Sequence, residues 1–572
     1  MIIELIRQLI NKIVLTNWPS IRLPKFTVEI SKNSKHLDYA SNISMILEGI
    51  TKQSSNLIAK FIAEKLVADP RIELVDIVNP GFINIKVSNR ILYQALNVAI
   101  SKGSQYGVHE SLGKSVLLEF VSANPTGPLH LGHARSAFMG DAISRILKAS
   151  GYNVTKEFYI NDVGNQIETL GNTIYARYMQ LFGLNIKLKE NAYPGEYIID
   201  IARHLKEQDG DKWINRNDYL QRCIEIGIKE NLENIQKVLN ISGIEFDTWY
   251  SEKSLHDKGL IEAILNKYQE LGVLYNADEA ETGNKIRRED SQAAKFIINQ
   301  EGGTFLKTSC FGDEEDRILV RKNGIPVYLV ADIAYHKEKF DRKFDRIINI
   351  FGADHAGHVL KICACMRALG IDISNFEFLL VQMVHLLEDG KDIRLSKRSG
   401  KIISLEDFVN HVGADAARFI FLMKSPNTQF DFDLNIINST SKDNLLYYIQ
   451  YAHARIANIT SKFKKIEKLQ EDILEKLILP EEFNMIKKID SYPEVVKLSA
   501  LTLEPHRIFF FCKELVSEFH SYYTKYKYTE KIISDNYQLT QARIGLISAV
   551  RQVIFNSLNL LGITASESMY NK

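Results

Sequence analysis

Residues 122–133 read Ser-Ala-Asn-Pro-Thr-Gly-Pro-Leu-His-Leu-Gly-His, and this stretch decides the fold. An apolar run, residues 116–121, precedes it, and a helical pattern, residues 134–148, follows. Strand, glycine-containing turn and helix start form the setting in which backbone N–H groups and the helix dipole bind phosphate. Two imidazoles placed there, His130 and His133, can hold a nucleotide's phosphates and stabilise charge developing on an attacked α-phosphorus. That setting separates the pattern from two surface histidines at a turn.

Far downstream, residues 390–401 read Gly-Lys-Asp-Ile-Arg-Leu-Ser-Lys-Arg-Ser-Gly-Lys. Gly390 and Gly400 allow this basic loop to move, and its cations suit a departing pyrophosphate. Read alone, it fits a solvated basic loop equally well. From 116 to about 435 strand and helix patterns alternate, as in a doubly wound, Rossmann-like parallel sheet. An insertion at about 172–300, with long polar helices such as 219–242, interrupts the alternation. Residues 1–105 read as a small α+β domain with a helix over 41–67 and strands over 72–75 and 82–87. Beyond 435 the pattern is helical, over 443–463, 483–503, 506–526 and 540–561, which predicts an all-α bundle. The expected organisation is therefore a multidomain α/β protein, divided 1–105, 106–434 and 435–572. Gly107 to Ser115 mimics a phosphate-binding P-loop, but five residues separate the glycines where four are needed, and a strand follows where a helix should.

A chain of 572 residues is too long for one core, and 45% hydrophobic with 25% charged residues is ordinary globular composition. No apolar run reaches 18 residues, so no spanning helix is expected, and no membrane partner is expected either. The N-terminal residues 1–12 place Glu4, Arg7 and Lys12 in an apolar pattern, as an amphipathic helix does and a signal peptide does not. Five scattered cysteines point to a reducing compartment, and the expectation is a cytoplasmic monomer. His355 and His358 with Cys363 and Cys365 invite a zinc assignment. Cysteines two apart on a helix face different ways, and no zinc is expected. The net charge of +1 leaves any nucleic-acid partner to local basic patches.

His130-Leu131-Gly132-His133 resembles the first signature of class I aminoacyl-tRNA synthetases, and Arg394 to Arg398 resembles the second. Within that class the chain resembles the arginyl-tRNA synthetases from end to end, most specifically over 119–135, 161–166, 330–335, 447–455 and 541–569. The resemblance implies ATP-dependent attachment of L-arginine to its tRNA through an arginyl-adenylate, with ATP arriving as its Mg2+ complex. It implies catalytic roles for His130, His133 and Lys397. The loop departs from the usual pattern, with Arg394 in place of a first lysine and Arg398 in place of a serine. Lys397 remains, and no lysine occupies Thr126 to Pro128, where family members lacking it carry one. ATP contacts are expected at Ser122, Ala123 and Gly132, at the strand end carrying Gly352, Asp354 and His355, and at Ser396 and Arg398. The substrate guanidinium is expected at Glu119, Tyr328 and Asp332, and its α-amino group at Asn124 and Asp354. Structural alternatives are an N-cap at Asp332, a core position for Tyr328, and an ion pair between Glu119 and Arg135. The N-terminal domain would contact the tRNA elbow. The bundle would take the anticodon, with Lys464, Lys465, Tyr523 and Lys525 as candidate contacts beside Lys462, Lys468, Tyr522, Tyr526 and Tyr528. Among Tyr447, Tyr448 and Tyr451, at least two are expected in the core. Competing readings are another amino-acid specificity, a dinucleotide-forming nucleotidyltransferase, and a catalytically inactive RNA-binding descendant of a synthetase.

Overall fold

A computed structural model describes residues 1–31, 37–214, 216–277, 302–388, 391–392, 404–436 and 444–569. The chain forms two compact units, one of Met1–Glu110 with Asn435–Lys572 and one of Ser111–Leu434.

In the first unit, β1 (Val28–Ile30), β2 (Tyr39–Ser41), β3 (Ile72–Val78) and β4 (Phe82–Val87) form an antiparallel sheet in the order β1-β2-β4-β3. The helix expected over 41–67 is two helices, Ile43–Thr51 and Ser55–Val67. The break falls at Lys52, which adopts φ +61, and Glu48 Oε1 receives the Ser55 N–H at 3.2 Å. Unbroken 3.6-residue periodicity on both sides hid a turn of only three residues. Four long helices, Leu445–Thr460, Pro480–Thr502, His506–Tyr526 and Tyr537–Leu560, belong to the same unit, as do Ile2–Asn17 and Asn89–Lys102. The last of the four and the segment joining the first two of them hold the N-terminal part directly. Asn97 and Leu469 exchange two hydrogen bonds of 2.9 Å, the Tyr93 hydroxyl donates to the Leu477 carbonyl, and Asn556 donates to the carbonyls of Gly103 and Tyr106.

The second unit is built on β5 (Ser115–Glu119), β6 (Asn153–Ile160), β7 (Thr248–Ser251), β11 (Arg346–Gly352) and β12 (Phe376–Val381). All five are parallel, in the order β12-β11-β5-β6-β7. Val116, Leu117 and Leu118 are buried, as in a sheet covered on both faces. The stretch read as an insertion also supplies β7, a four-residue strand at the sheet edge, followed by β8 (Leu274–Ala277). That strand joins β9 (Gly303–Leu306) and β10 (Arg317–Arg321) in a small antiparallel sheet. Strand order reverses between β5 and β11. Ligands of such sheets bind beyond the carboxyl ends of the strands at that reversal.

Candidate active site

A cleft of about 910 Å³ opens at that point. Its floor is the end of β5 and the turn that follows. Val121 and Ser122 adopt φ +67 and +43, a left-handed conformation that is costly for a β-branched residue. Hydrogen bonds fix this turn: Val121 N–H donates to Ser136 Oγ at 3.1 Å, and the Ser122 hydroxyl donates to Glu119 Oε1 at 2.8 Å. Beyond it, the Tyr197 hydroxyl donates to the Thr126 carbonyl at 2.6 Å and Asn231 to the Pro125 carbonyl at 3.0 Å. A Cβ at Gly127 would stand 2.8 Å from the Tyr197 hydroxyl oxygen, so the turn and its neighbour are fitted to each other.

The helix Leu131–Ala149 starts at the histidine pair, and the pair caps it. Gly132 N–H donates to His130 Nδ1 at 3.1 Å, and His130 N–H donates to His133 Nδ1 at 3.2 Å. The rings lie 3.9 Å apart. Burial, aided by His130, pushes the His133 imidazole down to about 3, so this ring is neutral. In a neutral ring whose Nδ1 accepts, the proton sits on Nε2. The capping bonds therefore select the tautomer that donates from Nε2. Gly132 is required between the histidines: a Cβ there would come within 2.8 Å of the His130 ring.

Arg135 follows, buried, with burial pushing its guanidinium down to about 10, where it remains a cation at neutral pH. It donates to the carbonyls of Gln382, Ser425 and Thr428 at 2.5, 2.8 and 2.9 Å. Its expected alternative partner, Glu119, is paired with Lys339 instead. Arg394, Ser396, Lys397 and Arg398 lie outside the described residues. The described chain resumes at Ser404, which forms a β-bridge with His130, and Leu405 N–H donates to the Leu129 carbonyl at 2.8 Å.

Ser122, Ala123, Asn124, Gly132, Gly352, Asp354 and His355 all line the cleft, as do Glu119 and Asp332. Asn124 donates to Gln166 Oε1 at 2.7 Å. A Cβ at Gly352 would lie 2.4 Å from the exposed Asp354 carboxylate, which would have to turn aside. Asp332 sits one turn inside the helix Tyr328–Asp341 and is not its N-cap, which is Val327. Its carboxylate lies 3.4 Å from His358 Nε2. Tyr328 opens that helix 57% exposed, so it is not a core residue. It borders a second cleft of about 380 Å³ that shares Asp332, His358 and Lys361 with the first.

Three participants carried no sequence signal of their own. Tyr159, on β6, lines the cleft and donates to Glu252 Oε2 at 2.8 Å. Burial, reinforced by Asp332 and Asp162, raises the Glu252 carboxyl to about 7 against the bond from Tyr159. Lys339 is fully buried behind Glu119.

In the other unit, Lys464 and Lys465 line a cleft of about 990 Å³ together with Lys102 and Lys468. Tyr447, Tyr448 and Tyr451 are all half-buried, against the expected core positions. The Tyr447 and Tyr451 rings stack at 5.9 Å. Arg455, which closes the 447–455 segment with no role expected of it there, lies over the rings of Tyr451 and Tyr523 at 4.5 and 4.9 Å. Tyr522 is core, its hydroxyl donating to Glu482. Lys525 is held by the Glu481 carboxylate.

Three family models match the chain. They are an arginyl tRNA synthetase N terminal domain over 1–87, the catalytic domain of tRNA synthetases class I (R) over 95–459, and a DALR anticodon binding domain over 449–569. The arginine–tRNA ligase of Caldanaerobacter subterraneus subsp. tengcongensis is 41% identical over 564 residues, 97% of this chain and 95% of that one. That of Staphylococcus aureus is 37% identical over 574 residues, 99% and 98% of the two chains. The solved arginyl-tRNA synthetase of Thermus thermophilus shares the fold, with a TM-score of 0.75 over the full length of both chains at 19% identity.

Proposed function

The chain belongs to the arginyl-tRNA synthetase family, and we propose that the histidine pair, the β11 strand end and Asp332 divide the labour of its first half-reaction. The reaction is ATP-dependent attachment of arginine to tRNA. In the first step a carboxylate oxygen of arginine attacks the α-phosphorus of ATP, and the bond to the bridging oxygen breaks to release pyrophosphate. In the second, a ribose hydroxyl of the tRNA's terminal adenosine attacks the adenylate carbonyl, and AMP leaves.

Two anions must meet in the first step, so the protein's task is to place donors and cations around the α-phosphate. Nε2–H groups of His130 and His133 donate to it, at a helix N-terminus that favours anions. Ser122, Ala123 and Gly132 bring backbone close to the nucleotide. The strand end Gly352, Asp354 and His355 takes the ribose, and Ser396, Lys397 and Arg398 follow the β- and γ-phosphates. Mg2+ arrives with ATP and is carried by its phosphates, and zinc has no part in the chemistry. Asn124, with Asp354, takes the substrate's α-amino group. Asp332, Tyr328 and Glu119 surround the guanidinium. The observation that carries this reading is the pair of capped imidazoles, both with Nδ1 occupied by backbone N–H, at the point where strand order reverses.

For the tRNA, residues 1–105 take the elbow and 435–572 the anticodon. Lys464 and Lys465, joined by Lys102 and Lys468, meet backbone phosphates. Tyr523, with Tyr451 and Arg455, offers stacking faces for unpaired bases. Lys525 adds a cation at its edge. The protein acts as a cytoplasmic monomer; among the described residues no helix is long and apolar enough to cross a membrane. ATP–pyrophosphate exchange, run with each amino acid with and without tRNA, tests the assignment. Exchange driven by arginine and lost in H130A and H133A is the expected result. Exchange surviving both substitutions at wild-type rate would make the histidines structural.

A further inference from the structure

Glu119 and Asn349 are direct neighbours in the register of β5 and β11, at the reversal of strand order. Above them sits the ammonium of Lys339, which is 0% exposed. It donates to Glu119 Oε2 and, at 2.6 Å, to Asn349 Oδ1, and lies 4.2 Å from the centre of the Tyr335 ring. A lysine this deep is rare, because taking an ammonium out of water costs several kcal/mol unless its partners are well placed. Here the partners are the two strands that frame the cleft. Lys339 itself comes from the helix Tyr328–Asp341, which also carries Tyr328 and Asp332.

Glu119 passes the restraint on. Its other oxygen, Oε1, receives the Ser122 hydroxyl at 2.8 Å, and Ser122 Oγ in turn receives Tyr159 N–H at 3.1 Å. Ser122 and Val121 are the two left-handed residues of the turn, and Asn124 lies two residues on. A strained turn persists only when its surroundings over-determine it. The chain Lys339, Glu119, Ser122 supplies that determination.

We propose that Lys339 is a positioning residue for the arginine site: it locks the Glu119 carboxylate, and through Ser122 the left-handed turn, into the geometry that receives the amino acid. The same ion pair assigns the charges. Glu119 is neutralised by Lys339, and Glu157, its register partner on β6, by Arg342 at 2.6 and 2.9 Å and the Tyr335 hydroxyl at 2.8 Å. Among the described residues no lysine or arginine pairs with Asp332 or Glu252. Glu119 then offers the guanidinium a fixed hydrogen-bond acceptor. Asp332, whose described partner is the His358 ring at 3.4 Å, offers it a carboxylate not paired with a lysine or arginine among the described residues.

The inference rests on the synthetase reading, and the wild-type protein checks that reading separately: without arginine-driven pyrophosphate exchange in the presence of tRNA, the reading itself fails. Given that activity, K339M, K339R and E119Q/K339M are compared by the KM for arginine, the KM for ATP and kcat. Removing one member of a buried pair leaves Glu119 uncompensated, and K339M should raise the arginine KM roughly a hundredfold while the ATP KM stays within about threefold. K339R should recover most of that loss. E119Q/K339M, with no charge left unpaired, should be less impaired than the product of the two single effects. An unchanged arginine KM in K339M, or equal losses of arginine and ATP affinity, would overturn the proposal. If K339M does not fold, E119Q/K339M is read against E119Q alone: an arginine KM raised no further than in E119Q, beside an unchanged ATP KM, supports a lysine that acts through Glu119, and a further rise of both KM values overturns it.

Discussion

Each unit contains a glutamate paired with a buried cation, and the two pairs do different work. In the helical part, Glu482 is 0% exposed and saturated. Oε1 receives Arg543 Nε at 2.9 Å and the Tyr522 hydroxyl at 3.0 Å, and Oε2 receives the N–H groups of Ile478 and Leu479, both at 3.0 Å. That carboxylate ties two further helices to the start of Pro480–Thr502, and it lines none of the three clefts. Glu119 is nearly as buried, at 4%, with one cation and one hydroxyl, but it lines the cleft of about 910 Å³ and keeps acceptor capacity in reserve. A buried ion pair is therefore not a sign of function by itself. What distinguishes the two is an unsaturated lone pair facing space a substrate can occupy.

The comparison breaks most sharply at Glu482. E482A strands a buried guanidinium and should cost roughly 3–5 kcal/mol of stability in chemical denaturation, with arginine KM unchanged in the protein that remains folded. E119Q should do the reverse, shifting arginine KM more than the denaturation midpoint. Were both to lose stability alone, an open lone pair would not separate the two carboxylates.

H130A and H133A follow. Each removes one donor at the α-phosphate and should lower the rate of pyrophosphate exchange by roughly 10²–10³-fold, read at saturating ATP and arginine. Because the His133 ring is neutral far above its lowered ionisation near pH 3, no limb of the pH–rate profile between about 5 and 9 should belong to it.

D332A removes the charge that the pairing of Glu119 leaves to read the substrate. Its arginine KM should rise roughly a hundredfold, and its preference for arginine over citrulline should collapse. A mutant that still prefers arginine as strongly as before would move the reader elsewhere.

Glu252 sharpens the picture with a smaller effect. Its carboxyl, raised to about 7, is mostly protonated near pH 6 and ionised near pH 8 in the free enzyme. A bound guanidinium favours the ionised form, so kcat/KM for arginine should climb about tenfold from roughly pH 6 to 8 and then level off. E252Q should flatten that rise; a profile unchanged by E252Q would assign it to another group. Smallest are the lysines. Replacing Lys464 and Lys465 by alanine should leave arginine KM alone and weaken tRNA binding a few-fold. The slope of log affinity against log salt should also become shallower, by roughly 0.7–0.9 for each phosphate no longer neutralised.

Much of this arrangement was legible in the sequence because it is local. The strand-turn-helix around His130 needs only its own residues to be recognised, and His506–Tyr526 appears with the bounds its periodicity predicts. What escaped depends on partners distant in the chain. β7 is four residues, Thr-Trp-Tyr-Ser, without alternation enough to mark a strand, and it exists because β6 lies beside it. Lys339 reads as one more basic residue of an amphipathic helix, and only folding brings it against Glu119, far upstream. Glu252 owes its raised ionisation to burial and to Asp332 and Asp162, which the fold brings near and composition does not reveal. Arg455 was passed over within a segment read mainly for its tyrosines.

The chain after residue 444 holds the N-terminal α+β part through Asn97, Tyr93 and Asn556, and this fixes an order of events during synthesis. The first 110 residues leave the ribosome early, while the surfaces that cover them are made last. At about 5–20 residues per second, the wait through Ser111–Leu434 is on the order of tens of seconds. For that interval Tyr93 and Tyr106 lack the partners they have in the folded protein, Leu477 and Phe483 for the one and Ile489 and Tyr492 for the other. The catalytic unit, by contrast, has all its strands in hand once Leu434 has emerged, so it is free to close first. Pulse-labelled nascent chains should thus show protease resistance across Ser111–Leu434 before the N-terminal residues acquire it, and a chaperone that binds exposed apolar segments should be found on the chain's beginning rather than its middle.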